Sequence, residues 1–321
     1  MLLALLLLAG AVASTGGSAG RAAAPRPNIV LVLTDDLSWN LVRYMPHVRQ
    51  MRRQGVTFSR YFVTDSLCCP SRASIFTGRF PHNTRIFTNL APDGGFRVFR
   101  NRGEERSTFA TALKARGYRT AMMGKYLNGY RPANPVPPGW TEWDVAGNGY
   151  REFNYRLSQN GRRVDYGNRP GDYLTDVIAR KGSEFIESAA SAHKPFILEL
   201  ATFAPHAPYT PAPRDAGDFP GLKAPRGPAF NADNRHPPKW LRNKAPQRRL
   251  RSRTSTRPSG SAPRRSRPST ISSPASRRRS SPAGWRAIPT SCSAPTTVII
   301  WASTSSRPAS RPPSTPTSGC R

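Results

Sequence analysis

The chain has 321 residues, enough to bury a sizeable core as one large domain or two ordinary ones. Its formal net charge of +31 is unevenly spread, because all 18 acidic residues precede position 234, leaving +12 before Arg235 and +19 from there to the end. Cysteine occurs four times, at 68, 69, 292 and 320. Neighbouring cysteines rarely bridge each other and the other two lie in the acid-free part, so the pattern argues against a disulfide framework.

At the start, "LLALLLLAGAVAS" (2–14) is an apolar run too short to span a bilayer, followed by small residues of the Ala-x-Ala kind at Ala11 and Ala13. It reads as a secretory signal peptide over residues 1–24, which places the mature protein outside the cytoplasm, or in a lysosome if the source is eukaryotic. The absent basic flank leaves a lipid anchor, or a buried N-terminal element, as alternatives. No later segment is apolar enough to cross a membrane.

From Pro25 to Pro246 the pattern alternates strand and helix. "NIVLVLT" (28–34) is a continuous β-branched run, as expected of a strand covered on both faces. "MPHVRQMRRQG" (45–55) has helical spacing and a terminal Gly, and "VTFSRYFV" (56–63) reads as a second extended piece. "SRASIFTG" continues a helix from Pro70 to a Gly stop, placing Cys68 just before a helix N-terminus. "STFATALKARG" (107–117) starts on a Ser cap, "YRTAMMG" resumes as a strand, "GDYLTDVIARKGSEFIESA" is a long helix, and "PFILELATFAPH" (195–206) is another strand. Such alternation predicts an α/β domain with a mostly parallel central sheet flanked by helices.

The strand ends carry the charge. The first stops at Asp35 and Asp36, the strand after Gly117 beside Lys125, and the last at His206. In an open α/β sheet, ligands gather outside the carboxyl ends of the strands, so these residues are expected to converge on one crevice suited to a hard cation and an anionic substrate. Taken singly, each has a structural explanation: a turn or cap for the Asp pair, a solvated charge for Lys125, a satisfied histidine for His206. Backbone donors at a helix N-terminus favour anionic oxygen or sulfur, so Cys68 reads either as a thiolate nucleophile or as a buried structural cysteine.

"CCPSR" (68–72) with "ASIFTGR" after it resembles the signature of the sulfatase family, Cys-x-Pro-Ser-Arg followed by Ala-Ser-x-x-Thr-Gly. "PNIVLVLTDD", "GKYLNGY" and "PHAP" are similar to that family's first metal-ligand strand, its Gly-Lys segment and its Pro-His-x-Pro element. Within the family, "LCCPSRASIFTGRFPHN", "GKYLNGY", "PPGW" and "DYLTDV" look most like the N-acetylglucosamine-6-sulfatase branch and its bacterial relatives. The resemblance implies an alkaline-phosphatase-like fold and hydrolysis of sulfate esters, of a sulfated amino sugar, a glycosaminoglycan or an aryl sulfate. It implies that Cys68 is oxidised to formylglycine by a formylglycine-generating enzyme, whose hydrate attacks sulfur through one hydroxyl and expels sulfate through the other. Ca2+ would then be held by Asp35, Asp36 and residue 68, with Arg72, Lys125 and His206 on the diol, the sulfate and the leaving oxygen.

One implied element is missing: a further Asp-Asn metal-ligand pair from a motif like Ser-Asp-Asn-Gly. The corresponding region reads "PTTVIIWAST" (295–304), which, back-translated and read one base earlier, accommodates Ser-Asp-Asn-Gly-Tyr-His-Met-Gly-Glu-His. The expectation is a chain that leaves its ancestral frame between about Trp240 and Arg264, making 247–321 an out-of-frame, disordered Arg/Ser/Pro-rich tail and the product weak or inactive. Two other readings stand beside it. A secreted polyanion-binding protein would use the +19 tail, although that tail lacks the interleaved aromatics of a nucleic-acid platform and no specific nucleic acid is expected. A phosphoesterase of the same superfamily is the third.

Overall fold

A computed structural model describes residues 26–228, the single positions 230, 236, 239 and 242, and a strand at 296–302. The signal-peptide expectation and almost all of the expected tail therefore lie outside the described residues. No helix among the described residues is long and apolar enough to cross a membrane.

Seven strands form one sheet: β1 (Asn28–Thr34), β2 (Arg119–Lys125), β3 (Glu142–Ala146), β4 (Arg156–Gln159), β5 (Arg162–Asp165), β6 (Phe196–Ala201) and β7 (Thr296–Ala302). Their spatial order is β5-β4-β3-β2-β6-β1-β7, parallel from β3 to β7, with β4 and β5 added antiparallel at one edge. Among the described residues six α-helices accompany it: α1 (Pro46–Gln54), α2 (Cys68–Thr77), α3 (Pro81–Thr84), α4 (Gly95–Asn101), α5 (Phe109–Ala115) and α6 (Leu174–Ser191). The predicted α/β class, mostly parallel sheet and flanking helices are what the structure has.

The sheet separates two apolar cores. On one face Val177, Ile178, Phe185 and Ile186 of α6 meet Val30, Met123, Leu198 and Leu200. On the other, Cys69, Ala73 and Phe76 of α2 pack with Leu33, Met122, Trp143 and Ala201. Central strands buried on both faces need the near-continuous apolar runs that "NIVLVLT" and "FILELA" supply.

Three local expectations are corrected. "VTFSRYFV" does not join the sheet: both sides of β1 are taken by β6 and β7, and Val56 and Phe62 are 81% and 84% exposed. The helix α5 is capped by Thr108 rather than Ser107, in a reciprocal box with Thr111. Within the stretch expected to lack order, residues 296–302 form β7, paired in parallel register with β1 from Asn28–Thr296 to Thr34–Ala302. Thr, Val and Ile are strand formers, and an average over a Pro/Ser-rich tail hides a run of seven.

Strand β2 lies against β6 at van der Waals limit. Gly124 has φ +99°, and a Cβ there would meet the Ala201 carbonyl oxygen at 2.0 Å. This glycine brings the end of β2, and with it Lys125, level with the end of β6.

Candidate active site

Because β2, β6 and β1 are parallel neighbours, their carboxyl ends open on one side, and Lys125, the loop to His206, and Asp35 with Asp36 emerge together. Two backbone bonds lock the rim: Thr202 N–H donates to Leu33 O at 2.9 Å and Asp35 N–H to Ala204 O at 3.2 Å. The fourth contribution is α2. Cys68 is its first residue, Pro70 fits its first turn, and Gly78 ends it in the left-handed region.

Asp35 is the hub. It is 2% exposed, Lys125 Nζ donates to its Oδ2, Arg72 Nη2 lies 3.7 Å from its Oδ1, and Cys68 Sγ lies 3.7 Å from the same oxygen. Burial alone would raise its pKa, but Arg72 and Lys125 outweigh that and hold the carboxyl below its ordinary value. Burial and Arg72 work to lower the Lys125 pKa; the Asp35 carboxylate reverses this and keeps the amine charged.

Asp36 adopts φ +61°, turning its side chain toward the loop after β6, where His206 Nε2 lies 3.5 Å from Oδ2. Its Oδ1 is buried without a hydrogen-bond partner. Ligand atoms of Asp35, Asp36 and Cys68 lie within 4.8 Å of one another, the one such group of acidic, His and Cys side chains among the described residues. An orphaned carboxylate oxygen beside a second carboxylate fits a hard divalent cation, for which Asp35, Asp36 and an oxygen on residue 68 would be ligands. Three donors are fewer than the roughly six to eight oxygens that calcium takes.

The two cysteines have separate environments. Cys69 is buried in the α2 core, its N–H donates to Asn89 Oδ1 at 2.8 Å, and burial pushes its thiol up to about 12. Cys68 is half-buried; burial first, then Asp35 and Asp36, raise its pKa against the pull of Lys125 and Arg72. Of the two readings left open for Cys68, a pre-formed thiolate is therefore disfavoured by its surroundings. Both cysteines are free.

All six anticipated side chains, Asp35, Asp36, Cys68, Arg72, Lys125 and His206, thus meet at one place. Tyr150, in the loop after β3, escaped the sequence reading. Its ring lies 4.9 Å from Lys125 Nζ and 4.6 Å from the His206 ring, and its hydroxyl accepts from Asn128 Nδ2 at 3.3 Å. A lone tyrosine in a loop carries no periodic or spacing signal. It also divides two cavities, one of about 390 Å³ beside Lys125 with Asn89, Asn128 and Asn148 in its wall, and one of about 250 Å³ beside His206.

Comparison with known proteins agrees with this arrangement. The chain is 38% identical over 251 residues to human N-acetylglucosamine-6-sulfatase, covering 74% of this chain and 44% of that protein. To an arylsulfatase of Volvox carteri it is 34% identical over 253 residues, covering 69% and 38%. Among solved structures, one described as in complex with its substrate D-glucosamine-2-N,6-O-disulfate superposes with a TM-score of 0.53 at 27% identity, covering 64% of this chain and 40% of that one. The chain thus spans less than half the length of these relatives. The family model for Sulfatase matches residues 27–256, and on that match, together with the site at the carboxyl ends of β1, β2 and β6, the chain belongs to the sulfatase family.

Proposed function

We propose that this chain carries the catalytic centre of a sulfatase acting on a 6-O-sulfated glucosamine, the substrate class named for the human relative and for the solved complex. The observation that carries the reading is the position of residue 68, in contact with Asp35 and in the field of Lys125 and Arg72, with Lys125 also in the wall of a cavity of about 390 Å³. Lys125 is the cationic partner for sulfate oxygens, and His206, beside the second cavity, is the candidate proton donor to the leaving alcohol. Arg72, buried and fixed on the Lys125 carbonyl at 2.7 Å, orients the oxygen carried by residue 68. The raised pKa of the Cys68 thiol favours its replacement as nucleophile by formylglycine. Formylglycine at position 68 would supply an oxygen nucleophile, and Ca2+ held by Asp35, Asp36 and residue 68 would supply positive charge that offsets the sulfate.

The family's second Asp-Asn pair has no counterpart in this sequence, and Ala302 of β7 pairs with Thr34, immediately before Asp35. We therefore take calcium binding to be weak in this chain, and residues 247–321 to be largely an out-of-frame extension. Sequencing the gene tests this: wobble bases incompatible with the shifted Asp-Asn motif refute the frame change. The apolar run at 2–14, and the extracellular sulfatase of Drosophila melanogaster that is 34% identical over 221 residues, support export from the cytoplasm.

The test of function has two parts. Mass spectrometry of the tryptic peptide Tyr61–Arg72 should find an aldehyde in place of one thiol when the protein is made with a formylglycine-generating enzyme. Purified protein should release sulfate from glucosamine 6-sulfate, with aryl phosphate turned over far more slowly and Cys68→Ala inactive. Sulfate release that survives Cys68→Ala sinks the proposal, and faster turnover of the phosphate favours the phosphoesterase reading instead.

A further inference from the structure

Between Asp36 and Asp65 the chain has five arginines and no acidic residue. This stretch leaves the Asp35–Asp36 pair, forms a short 3-10 helix (Trp39–Tyr44) and then α1, and carries Arg43, Arg49, Arg52, Arg53 and Arg60, all exposed. Among the described residues none of the five takes part in an ion pair, whereas Arg79, Arg156, Arg180 and Arg214 each face a carboxylate.

The fold does not account for this charge. No residue of α1 is buried, so its arginines cover no core. Arg49 and Arg53 stand four residues apart on one helix face, a like-charge spacing that weakens a helix. Arg52 and Arg53 in the last turn favour the helix dipole, but Arg43 and Arg49 lie outside that turn. Two guanidiniums are set on aromatic rings: Arg52 lies 5.1 Å from the centroid of Trp39, and Arg43 5.0 Å from that of Tyr44. Stacking holds a guanidinium while its N–H edge stays free for an oxyanion. Trp39 is itself 56% exposed.

We propose that Trp39, Arg43, Arg49, Arg52 and Arg53 form a docking ridge for a sulfated glycan chain, separate from the crevice that takes the reacting ester. Arg49, Arg52 and Arg53 lie within about one helical turn, more forks than one sulfate needs, so the partner that fits carries anions at close, repeated spacing. The exposed indole adds a flat apolar face of the kind a sugar ring can cover. Trp39 is three residues from Asp36, within about 11 Å along the chain, so a polymer lying on the ridge passes the crevice. Arginine with aromatic rings would also suit a single-stranded nucleic acid; the choice of a glycan rests on the proposed function.

The basic tail of the full chain would bind heparin as well, so the test reads the ridge locally. Arginines of the full chain are modified with p-hydroxyphenylglyoxal, with and without a saturating heparin dodecasaccharide, and mapped by mass spectrometry. Arg49, Arg52 and Arg53 should be protected at least about fivefold, and exposed Arg162 on β5, at the opposite edge of the sheet from β1, should not. Replacing the three together, Arg49→Gln, Arg52→Gln and Arg53→Gln, should lower the slope of log affinity for heparin against log salt by about 2–3. Unprotected arginines at saturating heparin overturn the proposal. Equal protection by single-stranded RNA of the same charge also overturns it, because the ridge would then not select a glycan. Protection by heparin alone in a chain that releases no sulfate keeps the ridge and counts against the sulfatase reading instead.

Discussion

The Sγ of Cys68 lies 3.7 Å from Oδ1 of Asp35, with the Lys125 ammonium on the other oxygen of the same carboxylate. A cationic lysine and a helix N-terminus would by themselves favour a thiolate. Burial and the two aspartates win, and the thiol stays protonated. In protein made without the maturation enzyme, alkylation of the Tyr61–Arg72 peptide by iodoacetamide should therefore be slow near neutrality and rise only at a higher pH than for an ordinary exposed thiol. A rate independent of pH around neutrality contradicts this account of the site.

Divalent cation binding should stabilise the fold, because Asp36 Oδ1 has no partner in its absence. Calcium at about a hundred times its dissociation constant would raise the unfolding free energy by about 2.7 kcal/mol. Differential scanning fluorimetry should show the melting temperature climbing with calcium, and Asp36→Asn should remove most of that response.

Tyr150 should matter through its ring rather than its hydroxyl. Replacing it by Phe keeps the face presented to Lys125 at 4.9 Å and to His206 at 4.6 Å, and loses the bond from Asn128. Sulfate release by Tyr150→Phe is expected within about threefold of wild type. Tyr150→Leu removes contacts of about 1–2 kcal/mol, a loss of about tenfold in kcat/KM.

Glu152 makes stability depend on pH near neutrality. It is buried at the N-terminus of α6, where Oε2 accepts from Thr175 N–H at 2.9 Å and from Thr175 Oγ1 at 2.8 Å, while Oε1 has no hydrogen-bond partner. Burial raises its pKa from 4.5 to about 7. The unfolded chain then releases this proton more readily than the folded one, so the contribution of Glu152 falls as pH rises from about 4.5 to about 7, by roughly 3 kcal/mol in all. Urea titrations across that range should show a flatter profile for Glu152→Gln, which keeps the acceptor for Thr175.

Gly124→Ala should be among the most damaging conservative changes in the chain. The added methyl would lie 2.0 Å from the Ala201 carbonyl oxygen in a strand with φ +99°. A loss of more than about 3 kcal/mol is expected, since both strain and a backbone shift between β2 and β6 are required. Thermal melting checks this, with Gly129→Ala, whose added Cβ meets open space, as the control for positive φ alone.

Much of the architecture was readable from the residues in order. Continuous β-branched runs marked β1 and β6, a Gly stop marked α2, and charged residues at strand ends marked the crevice, because period and punctuation are local properties. The β4–β5 hairpin was legible as well, in Asn160-Gly161 with φ of 50° and 90°, but its flanking strands are short and polar and went unread. The unpaired fate of "VTFSRYFV" and the addition of β7 depended on competition for the two sides of β1, which no local pattern encodes.

Of the side chains at the site, the two acids, the lysine and the histidine are legible in the linear chain at strand ends and the cysteine at a helix start, while Arg72 is picked out only by the resemblance of "CCPSR" to the sulfatase signature. Their protonation and their partners are not legible there. That Cys68 is a thiol, that Asp35 is an ion, and that Tyr150 belongs with them follow from burial and from groups brought together across long stretches of sequence, 33 residues from Asp35 to Cys68 and 90 from Asp35 to Lys125. Electrostatic energies depend on distance through space and on exclusion of water, and both come into being only when the sheet closes over its core.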